Sequence, residues 1–250
     1  MRFLGIDLET FDDTNPDPNA DLVPYRHRIV AIGYMAIDTH VPDVVVESGV
    51  LVAAEVPPVP MNERDILIGL NEIVERLNPG LDSTRALSYD VVTYNGLRWD
   101  IPVLTMRMFR HGLQVPWMES KDFQYPYSQT GHFDLARYLS GRGQMSPMSA
   151  YANAMGLPGK TDVTGQDVQR LVNEGKVDIL ADYCMSDVVQ QMLIGLRVQF
   201  MRGLLGAAQY NVACSRILKH SMRSRYPTVK KLAVSSDVFV VDDDITESSR

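Results

Sequence analysis

The chain of 250 residues is 45% hydrophobic and 22% charged, as ordinary soluble globular proteins are, and its formal net charge of −7 argues weakly against a general nucleic-acid binder. No stretch approaches the roughly 18 uninterrupted apolar residues of a membrane span. The N-terminal sequence MRFLGIDLET contains acidic residues too early for a signal peptide. Cys184 and Cys214 are too few and too far apart for a disulfide framework or a metal knuckle, so we expect a reduced, cytoplasmic protein.

The first half of the chain predicts strands interrupted by helices. Apolar or β-rich runs predict strands over Arg2–Leu8, Arg28–Ile37, Val44–Ala53 and Leu87–Tyr94. The turn formers of Asp12–Asp21 predict an acidic loop after the first strand. Apolar residues at helical spacing predict a helix over Asn62–Leu77. A second helix is expected over Trp99–His111, with Pro102 in its first turn, where proline is tolerated.

The second half predicts mainly helices. A short element is expected at HFDLARYLS (132–140), and helices follow over Met148–Met155, Gly165–Asn173 and Asp178 to about Met201. The last 45 residues or so contain one apolar alternation, VFVVDDD, and a polar tail, and their pattern predicts no defined element. Because strands come first and helices dominate later, we expect an α/β fold with a mixed central sheet.

The C-terminal third is basic although the whole chain is acidic. Between Val188 and Ser236 there is no Asp or Glu, and the same stretch carries eight cations, so the rest of the chain has a net charge of −15. The eight are Arg197, Arg202, Arg216, Lys219, Arg223, Arg225, Lys230 and Lys231. Such a segment suits a phosphate backbone, but a solvated helix face has the same composition, and charge alone leaves both interpretations open.

The sequence Asp7-Leu8-Glu9 places two carboxylates on one face of the first predicted strand, because strand residues two apart share a face. Neighbouring anions are costly unless a cation or a basic group joins them, and oxygen ligands of this kind suit Mg²⁺ or Mn²⁺. The alternative is that the strand has ended and both side chains are solvated at the mouth of a loop.

Four further polar residues lie either at the end of a predicted element or on one helix face. Asn95-Gly96 ends the fourth predicted strand, and Asp100 begins the next helix, where it could cap the helix, bind a metal, or do both. Tyr183 and Asp187 are four residues apart and therefore share one face of the last long helix. Taken singly, each of these groups is compatible with a purely structural role.

Three motifs in order resemble the DEDDy 3′–5′ exonucleases, the superfamily that includes the proofreading domains of DNA polymerases. The motifs are DLET (7–10), NGLRWD (95–100) and YCMSD (183–187). HFDL (132–135), GLPGK (156–160) and ADYCMSDV (181–188) resemble the stand-alone group of predicted exonucleases related to the proofreading domain of family B polymerases. Trp99 stands where this family usually has phenylalanine. Asp182 stands where the sister group has histidine, so the tyrosine version of the site fits this sequence.

The resemblance implies a ribonuclease H-like fold whose first three strands are antiparallel, in a domain over residues 1–205. Residues 206–250 would form a C-terminal extension, basic and then acidic, of unassigned role. Asp7, Glu9, Asp100 and Asp187 would hold two divalent cations, Mg²⁺ or Mn²⁺. Tyr183 would orient the attacking water, and Thr10, Asn95 and Trp99 would contact the terminal nucleotide. The catalytic set implied is thus Asp7, Glu9, Asp100, Tyr183 and Asp187.

The implied reaction is hydrolysis at a 3′ end, with release of nucleoside 5′-monophosphates. The expected partner is nucleic acid, DNA rather than RNA and single-stranded at its 3′ end, with no membrane; no replication or repair partner follows from the sequence. One alternative is a module of the same fold that binds nucleic acid or accompanies a polymerase without turnover. Another is a phosphatase with Asp7 as nucleophile, which would want a second aspartate at Glu9 and gives Tyr183 no role.

Overall fold

Five β-strands form one mixed sheet in the order β3-β2-β1-β4-β5. They are β1 (Arg2–Asp12), β2 (His27–Asp38), β3 (Val45–Val52), β4 (Asp90–Thr93) and β5 (His132–Asp134). Neighbours among β1, β2 and β3 are antiparallel, whereas β1, β4 and β5 run parallel to one another. The predicted mixed sheet with three antiparallel leading strands is confirmed, and the short β5 is an addition to it.

The computed structural model describes residues 1–12, 23–40, 44–53, 62–80, 87–119, 123, 130–141, 143–158 and 167–241. The predicted acidic loop, apart from Asp12, the end of GLPGK and the tail after Val241 lie outside these residues. Within them the helices are α1 (Glu63–Leu77), α2 (Asp100–His111), α3 (Leu135–Ser140), α4 (Met148–Ala154), α5 (Val168–Asn173), α6 (Val177–Met201), α7 (Ala207–Met222) and α8 (Pro227–Ser235). No helix in this part of the chain combines the length and apolar character that a membrane crossing requires.

Helices cover both faces of the sheet, because side chains alternate along each strand. Leu4, Ile6 and Leu8 of β1 pack in one hydrophobic cluster with buried residues of α1 and α2. Phe3 of β1 and Val92 of β4 belong to a second cluster, formed with α6 on the opposite face. The residues of β1 with odd numbers therefore face α6, and those with even numbers face α1 and α2.

The first strand is longer than predicted. It stays paired with β2 as far as Asp12, which lies opposite His27, so Glu9 and Thr10 lie inside the strand rather than beyond its end. The pairing shifts by one residue between Glu9 and Thr10. Such bulges re-aim side chains and are frequent beside active sites. By contrast β4 is shorter than predicted, since its ladder begins only at Asp90.

The C-terminal helices α7 and α8 pack into the same cluster as α6, where Tyr210, Ile217 and Val229 are buried. Near the C-terminal end of α6, Arg197 Nε donates to Tyr210 Oη at 2.9 Å. Near its beginning, Asp182 accepts the amide of Thr228 at 3.0 Å. Helix α7 therefore runs antiparallel to α6 and returns the chain to the end of α6 that carries Asp182. The division of the chain at residue 205 stays a prediction.

Candidate active site at the edge of the sheet

Parallel pairing of β1 and β4 brings the carboxyl ends of both strands to one edge of the sheet. Asp7 and Glu9 lie on β1 near this edge and face α6, whereas Leu8 between them packs on the other side. The chain leaves β4 at the same edge and enters α2 at Asp100. This topology explains how acids 93 positions apart, at 7 and 100, reach one place.

Two glycines allow α6 to approach the sheet closely. A Cβ atom at Gly5 would lie 2.6 Å from Met192 Sδ, and one at Gly33 would lie 2.9 Å from Cys184 Sγ. The buried amide of Gln191 fixes the contact, because its Nε2 donates to the carbonyls of Ile6 at 3.2 Å and Val92 at 2.7 Å. As a result, the first half of α6 lies directly against the acidic part of β1.

Asp7, Glu9 and Cys184 form a cluster in which one ligand atom from each lies within 4.8 Å of the other two. The Cys184 thiol also donates to the backbone carbonyl of Asp7 at 3.6 Å. Burial raises the pKa of Asp7 well above its usual range, and the nearby charges of Glu9, Asp187 and Asp100 raise it further. The other three sequence-predicted acids therefore lie close enough to Asp7 to raise its pKa.

Asp100 is the first residue of α2 and is only 5% exposed. Burial raises the pKa of Asp100 to about 7, although hydrogen bonds from its own amide and from the amide of Leu8 oppose the rise. The contact with Leu8 places this carboxylate against β1, between the positions of Asp7 and Glu9. The capping position itself is Trp99, which makes no capping hydrogen bond through its side chain. Asp100 is thus directed toward β1 rather than serving as the helix cap.

Tyr183 and Asp187 interact on α6, as their spacing predicts. Burial first, and then the charges of Asp187, Glu9 and Asp7, raise the pKa of the Tyr183 phenol, which donates a hydrogen bond to Asp187. The phenol therefore stays protonated and acts as a donor rather than as a base. Gln190 Nε2 lies 3.4 Å from Asp187 Oδ1. Tyr183 is 7% exposed, so the pair lies at the cluster and not on an open helix surface.

The turn that carries Asn95 is held by Asp134 of β5. The two carboxylate oxygens of Asp134 accept the amides of Asn95 and Leu97, each at 3.0 Å. Gly96 is required here, because a Cβ atom would lie 2.3 Å from Thr93 Oγ1. Asn95 adopts a φ of 65°, and its Oδ1 is buried and has no hydrogen-bond partner among the described residues. Asp134 thus acts as a structural support of the turn.

Thr10 and Trp99 meet through His27, the first residue of β2. Thr10 Oγ1 lies 3.2 Å from His27 Nδ1, and the ring of His27 packs edge-on against Trp99 with 4.7 Å between centroids. Burial lowers the pKa of His27, so its neutral form is favoured. The sequence-predicted substrate residues Thr10 and Trp99 are therefore joined, by a histidine that no motif had singled out.

The donor set fits a divalent cation. Carboxylate oxygens are the ligands that Mg²⁺ and Mn²⁺ prefer, and buried carboxylates that raise one another's pKa are stabilised by added positive charge. Cys184 places a thiol at the same point, but this thiol does not act as a ligand in its protonated form. Its thiol has a pKa raised by burial and by Asp7, Glu9 and Asp187, so it stays protonated.

Comparisons with known proteins identify the family of the chain and its fold. A family model described as a predicted 3′–5′ exonuclease related to the exonuclease domain of PolB matches residues 24–232. No curated protein matches the sequence. The chain resembles the solved family B DNA polymerase of the hyperthermophilic archaeon Pyrobaculum calidifontis with a TM-score of 0.55 and 16% identity, over 94% of this chain and 27% of the polymerase. This likeness shows that the fold is of the ribonuclease H-like type.

Two weaker likenesses are to exonuclease I. The Escherichia coli enzyme in complex with a dT13 oligonucleotide gives a TM-score of 0.43 and 16% identity, over 75% of this chain and 43% of that one. A product-bound exonuclease I gives a TM-score of 0.39 and 16% identity, over 88% and 46%. The chain thus spans about a quarter of the polymerase and less than half of exonuclease I.

Proposed function

The chain belongs to the family of predicted 3′–5′ exonucleases related to the exonuclease domain of PolB, and we propose that it is a hydrolase that removes nucleotides from the 3′ end of nucleic acids, with two divalent cations as cofactors. The observation that carries this proposal is the position of Asp7, which is partly buried and lies near the charges of Glu9, Asp187 and Asp100. A fold with no use for added positive charge gains nothing from such mutual repulsion. The relation to a DNA polymerase domain favours DNA over RNA as the substrate.

Asp7, Glu9, Asp100 and Asp187 would hold the two cations, Mg²⁺ or Mn²⁺. When bound, such ions lower the pKa of a water molecule and stabilise the charge on the departing 3′ oxygen. The acids come from three separate elements, β1, α2 and α6, so the completed site exists only in the folded chain. The close packing of α6 on Gly5 and Gly33 fixes the distance between these elements.

Tyr183 would orient the attacking water and would not remove its proton. Its pKa is raised by burial and by three carboxylates, so the phenol keeps the hydrogen that it donates to Asp187, and its oxygen can accept a hydrogen bond from the water. Hydrolysis forms a bond from water oxygen to phosphorus and breaks the bond from phosphorus to the 3′ oxygen. The shortened strand keeps a 3′ hydroxyl, and the released nucleotide is a 5′-monophosphate.

Thr10, Asn95 and Trp99 would contact the terminal nucleotide. Trp99 is partly exposed beside the acids and is braced by His27, which suits it to stack on a base. Asn95 is held in its unusual backbone conformation by Asp134, and its buried Oδ1 is the unsatisfied acceptor of the turn. We expect single-stranded 3′ ends to bind best, because a base must be unpaired to stack on the ring of Trp99.

The cellular location that we propose is cytoplasmic. Cys184 and Cys214 are both free and buried, and buried thiols without a disulfide are typical of reducing compartments.

A direct assay tests the activity. The purified protein is incubated with 5′-labelled single-stranded DNA, duplex DNA and RNA, each with Mg²⁺, Mn²⁺ or EDTA. We expect a ladder of strands shortened from the 3′ end, only with a cation, and fastest on single-stranded DNA. A 3′-labelled strand should release the labelled mononucleotide first, which separates this direction from attack at the 5′ end.

Two aspartates of α6 give a matched pair of variants. Asp187→Asn removes one carboxylate from the cluster and should abolish the ladder. Asp178→Asn makes the same chemical change on an exposed residue of the first turn and should leave the ladder intact. Tight binding of DNA by folded wild-type protein without any ladder would overturn the proposal and would support the non-catalytic alternative.

A further inference from the structure

Five exposed cations lie around the connection from α7 to α8, and we call them the basic surface. They are Lys219, Arg223, Arg225, Lys230 and Lys231. No Asp or Glu occurs between residues 188 and 236, so none of the five has an acid three or four positions away on its own helix. Solvated helix faces usually carry such pairs of opposite charge. The surface is therefore better suited to an external anion than a mixed solvent-exposed face would be.

The path of the chain places this surface beside the active-site end of α6. Asp182, which precedes Tyr183, accepts the amides of Thr228 and Val229 at the start of α8. Lys230 and Lys231 follow within the next turn. Asp178, in the first turn of α6, contributes to the raised pKa of Arg225 after the larger effect of the Tyr226 hydroxyl. Both contacts join the basic surface to the half of α6 that carries the proposed catalytic residues.

The start of α8 does not itself offer an anion site. Its free amides are already satisfied by the carboxylate of Asp182, which caps the helix from α6. An external anion would therefore be bound by the cationic side chains, which stand exposed on the other sides of α7 and α8. Cations on flexible stems suit a partner with repeated charges rather than a single small anion in a defined pocket.

We propose that the basic surface binds backbone phosphates of the single strand whose 3′ end lies in the active site. This inference rests on the proposed function, and it gives the C-terminal extension a role in holding the substrate. Residues 188–236 carry a formal charge of +8 and the rest of the chain −15, so a polyanionic strand is attracted to this segment rather than to the rest of the chain. Because phosphates carry no sequence information, the surface should act on strands of any sequence.

Binding is measured by fluorescence anisotropy with wild-type protein and Mg²⁺. The probes are oligothymidylates of about 20 and about 4 nucleotides, lengths that bracket the site sizes of single-strand binding folds, with phosphorothioate linkages at the 3′ end to slow hydrolysis. The test variant is Lys230→Gln with Lys231→Gln. The control is Arg76→Gln with Arg110→Gln, which removes the same net charge from the last turns of α1 and α2, on the other face of the sheet.

The test variant should bind the long strand roughly fivefold to tenfold more weakly. The slope of log affinity against log salt should become less steep by about 1.4, because each phosphate contact on a single strand contributes about 0.7 to its magnitude. The short strand, held only at its 3′ end, should change less than about twofold. The control should match wild type on both probes, and melting temperatures should confirm that all variants are folded.

Equal affinities and salt slopes for the test and control variants would overturn the inference, even if the protein degrades DNA. An equal loss on both probe lengths would also overturn it, since the surface would then act at the 3′ end itself. If the protein shows no hydrolytic activity but binds DNA in a way that depends on Lys230 and Lys231, the role of the basic surface is supported and only the proposed function is overturned.

Discussion

Two acidic sites on opposite faces of the sheet differ in the charge of the groups that surround their carboxylates. Glu63, at the start of α1, accepts hydrogen bonds from Arg107 Nε at 2.6 Å, from His111 Nε2 at 2.9 Å and from the amide of Ile29 at 2.8 Å. Burial alone would raise the pKa of Glu63, but these partners outweigh it and the pKa is lowered. Asp7 is partly buried beside the buried acids Glu9 and Asp100, and because its charged neighbours are acids its pKa is raised.

The contrast shows which acid the chain uses for stability and which it keeps for another purpose. Glu63 receives a cation from the chain itself and ties α1 to α2 and β2. Asp7 and Asp100 receive hydrogen bonds from a thiol and backbone amides, while the strongest charges near them are negative. Added positive charge would stabilise the ionised form of that site, and the divalent cation that we propose would supply it compactly.

The largest effect is expected from Asp7→Asn, which should lower activity but raise the stability of the metal-free protein. Removal of the central carboxylate should lower kcat by about 10³-fold or more, because the ions lose a ligand at the reacting phosphate. The same change removes repulsion from the metal-free protein, so the free energy of unfolding in EDTA should rise by about 1 kcal/mol. Urea unfolding in EDTA and a timed digestion of labelled DNA measure the two quantities.

If Asp7→Asn weakened the metal-free fold while activity survived, Asp7 would be a structural acid of the Glu63 type and the contrast between the sites would fail.

The opposite outcome is expected at Glu63. Glu63→Gln leaves the buried Arg107 guanidinium without its counter-charge and should lower the free energy of unfolding by about 3 kcal/mol. The site acids stay in place, so kcat of the remaining folded protein should change little. Thermal unfolding followed by digestion at a temperature well below the transition checks both parts. Glu72→Gln, on the exposed side of the same helix, is the matched control and should change neither.

The sequence predicts one of these two sites much better than the other. The order of DLET, NGLRWD and YCMSD singles out the acids: strand alternation places Asp7 and Glu9 on one face of β1, and helical spacing places Tyr183 and Asp187 on one face of α6. The Glu63 site depends on Arg107, 44 positions away, and no local pattern connects them. The same limit hides the contacts of Gln191 with Ile6 and Val92, since they form only when α6 packs on the sheet.

The strands show where a local pattern ends. The predicted ends of β2 and β3 lie within one residue of the observed ones, because both strands are long and rich in β-formers. β5 has three residues, too few to show a period, and is recognised only by its pairing with β4. The extension of β1 to Asp12 likewise depends on pairing with β2. The polar residues of this extension do not by themselves predict a strand.

A divalent cation should stabilise the protein, and more so as the pH rises. When the Mn²⁺ concentration is 100 times its Kd, the free energy of unfolding should rise by about 2.7 kcal/mol, which corresponds to about 5 to 10 °C in Tm. The gain should be small near pH 4, where the site acids are protonated, and should approach its full value above about pH 7. Differential scanning calorimetry with Mn²⁺ or EDTA over this range measures it.

The sign follows from the direction of each pKa shift. Asp100 has a pKa of about 7 in the folded chain against an ordinary 3.8, so its contribution to the stability of the metal-free protein is present below 3.8 and is lost as the pH rises through 7. Glu63 has a lowered pKa, so its contribution is present above its ordinary 4.5 and is lost as the pH falls. Identical Tm curves with Mn²⁺ and EDTA would contradict the cation site.

The smallest effect is expected at Asp182, a third buried acid whose partners are backbone amides rather than a cation or other acids. Its carboxylate accepts Thr228 N at 3.0 Å and Val229 N at 3.3 Å and so caps α8. Asp182→Ala should lower the free energy of unfolding by about 1 kcal/mol, whereas Asp182→Asn keeps an acceptor oxygen and should cost a few tenths at most. Because this cap holds the basic surface beside α6, Asp182→Ala should also raise KM on long strands more than on short ones, with kcat nearly unchanged. Rescue of both quantities by Asp182→Asn would identify the cap as the cause, whereas loss in both variants alike would mean that the negative charge itself matters.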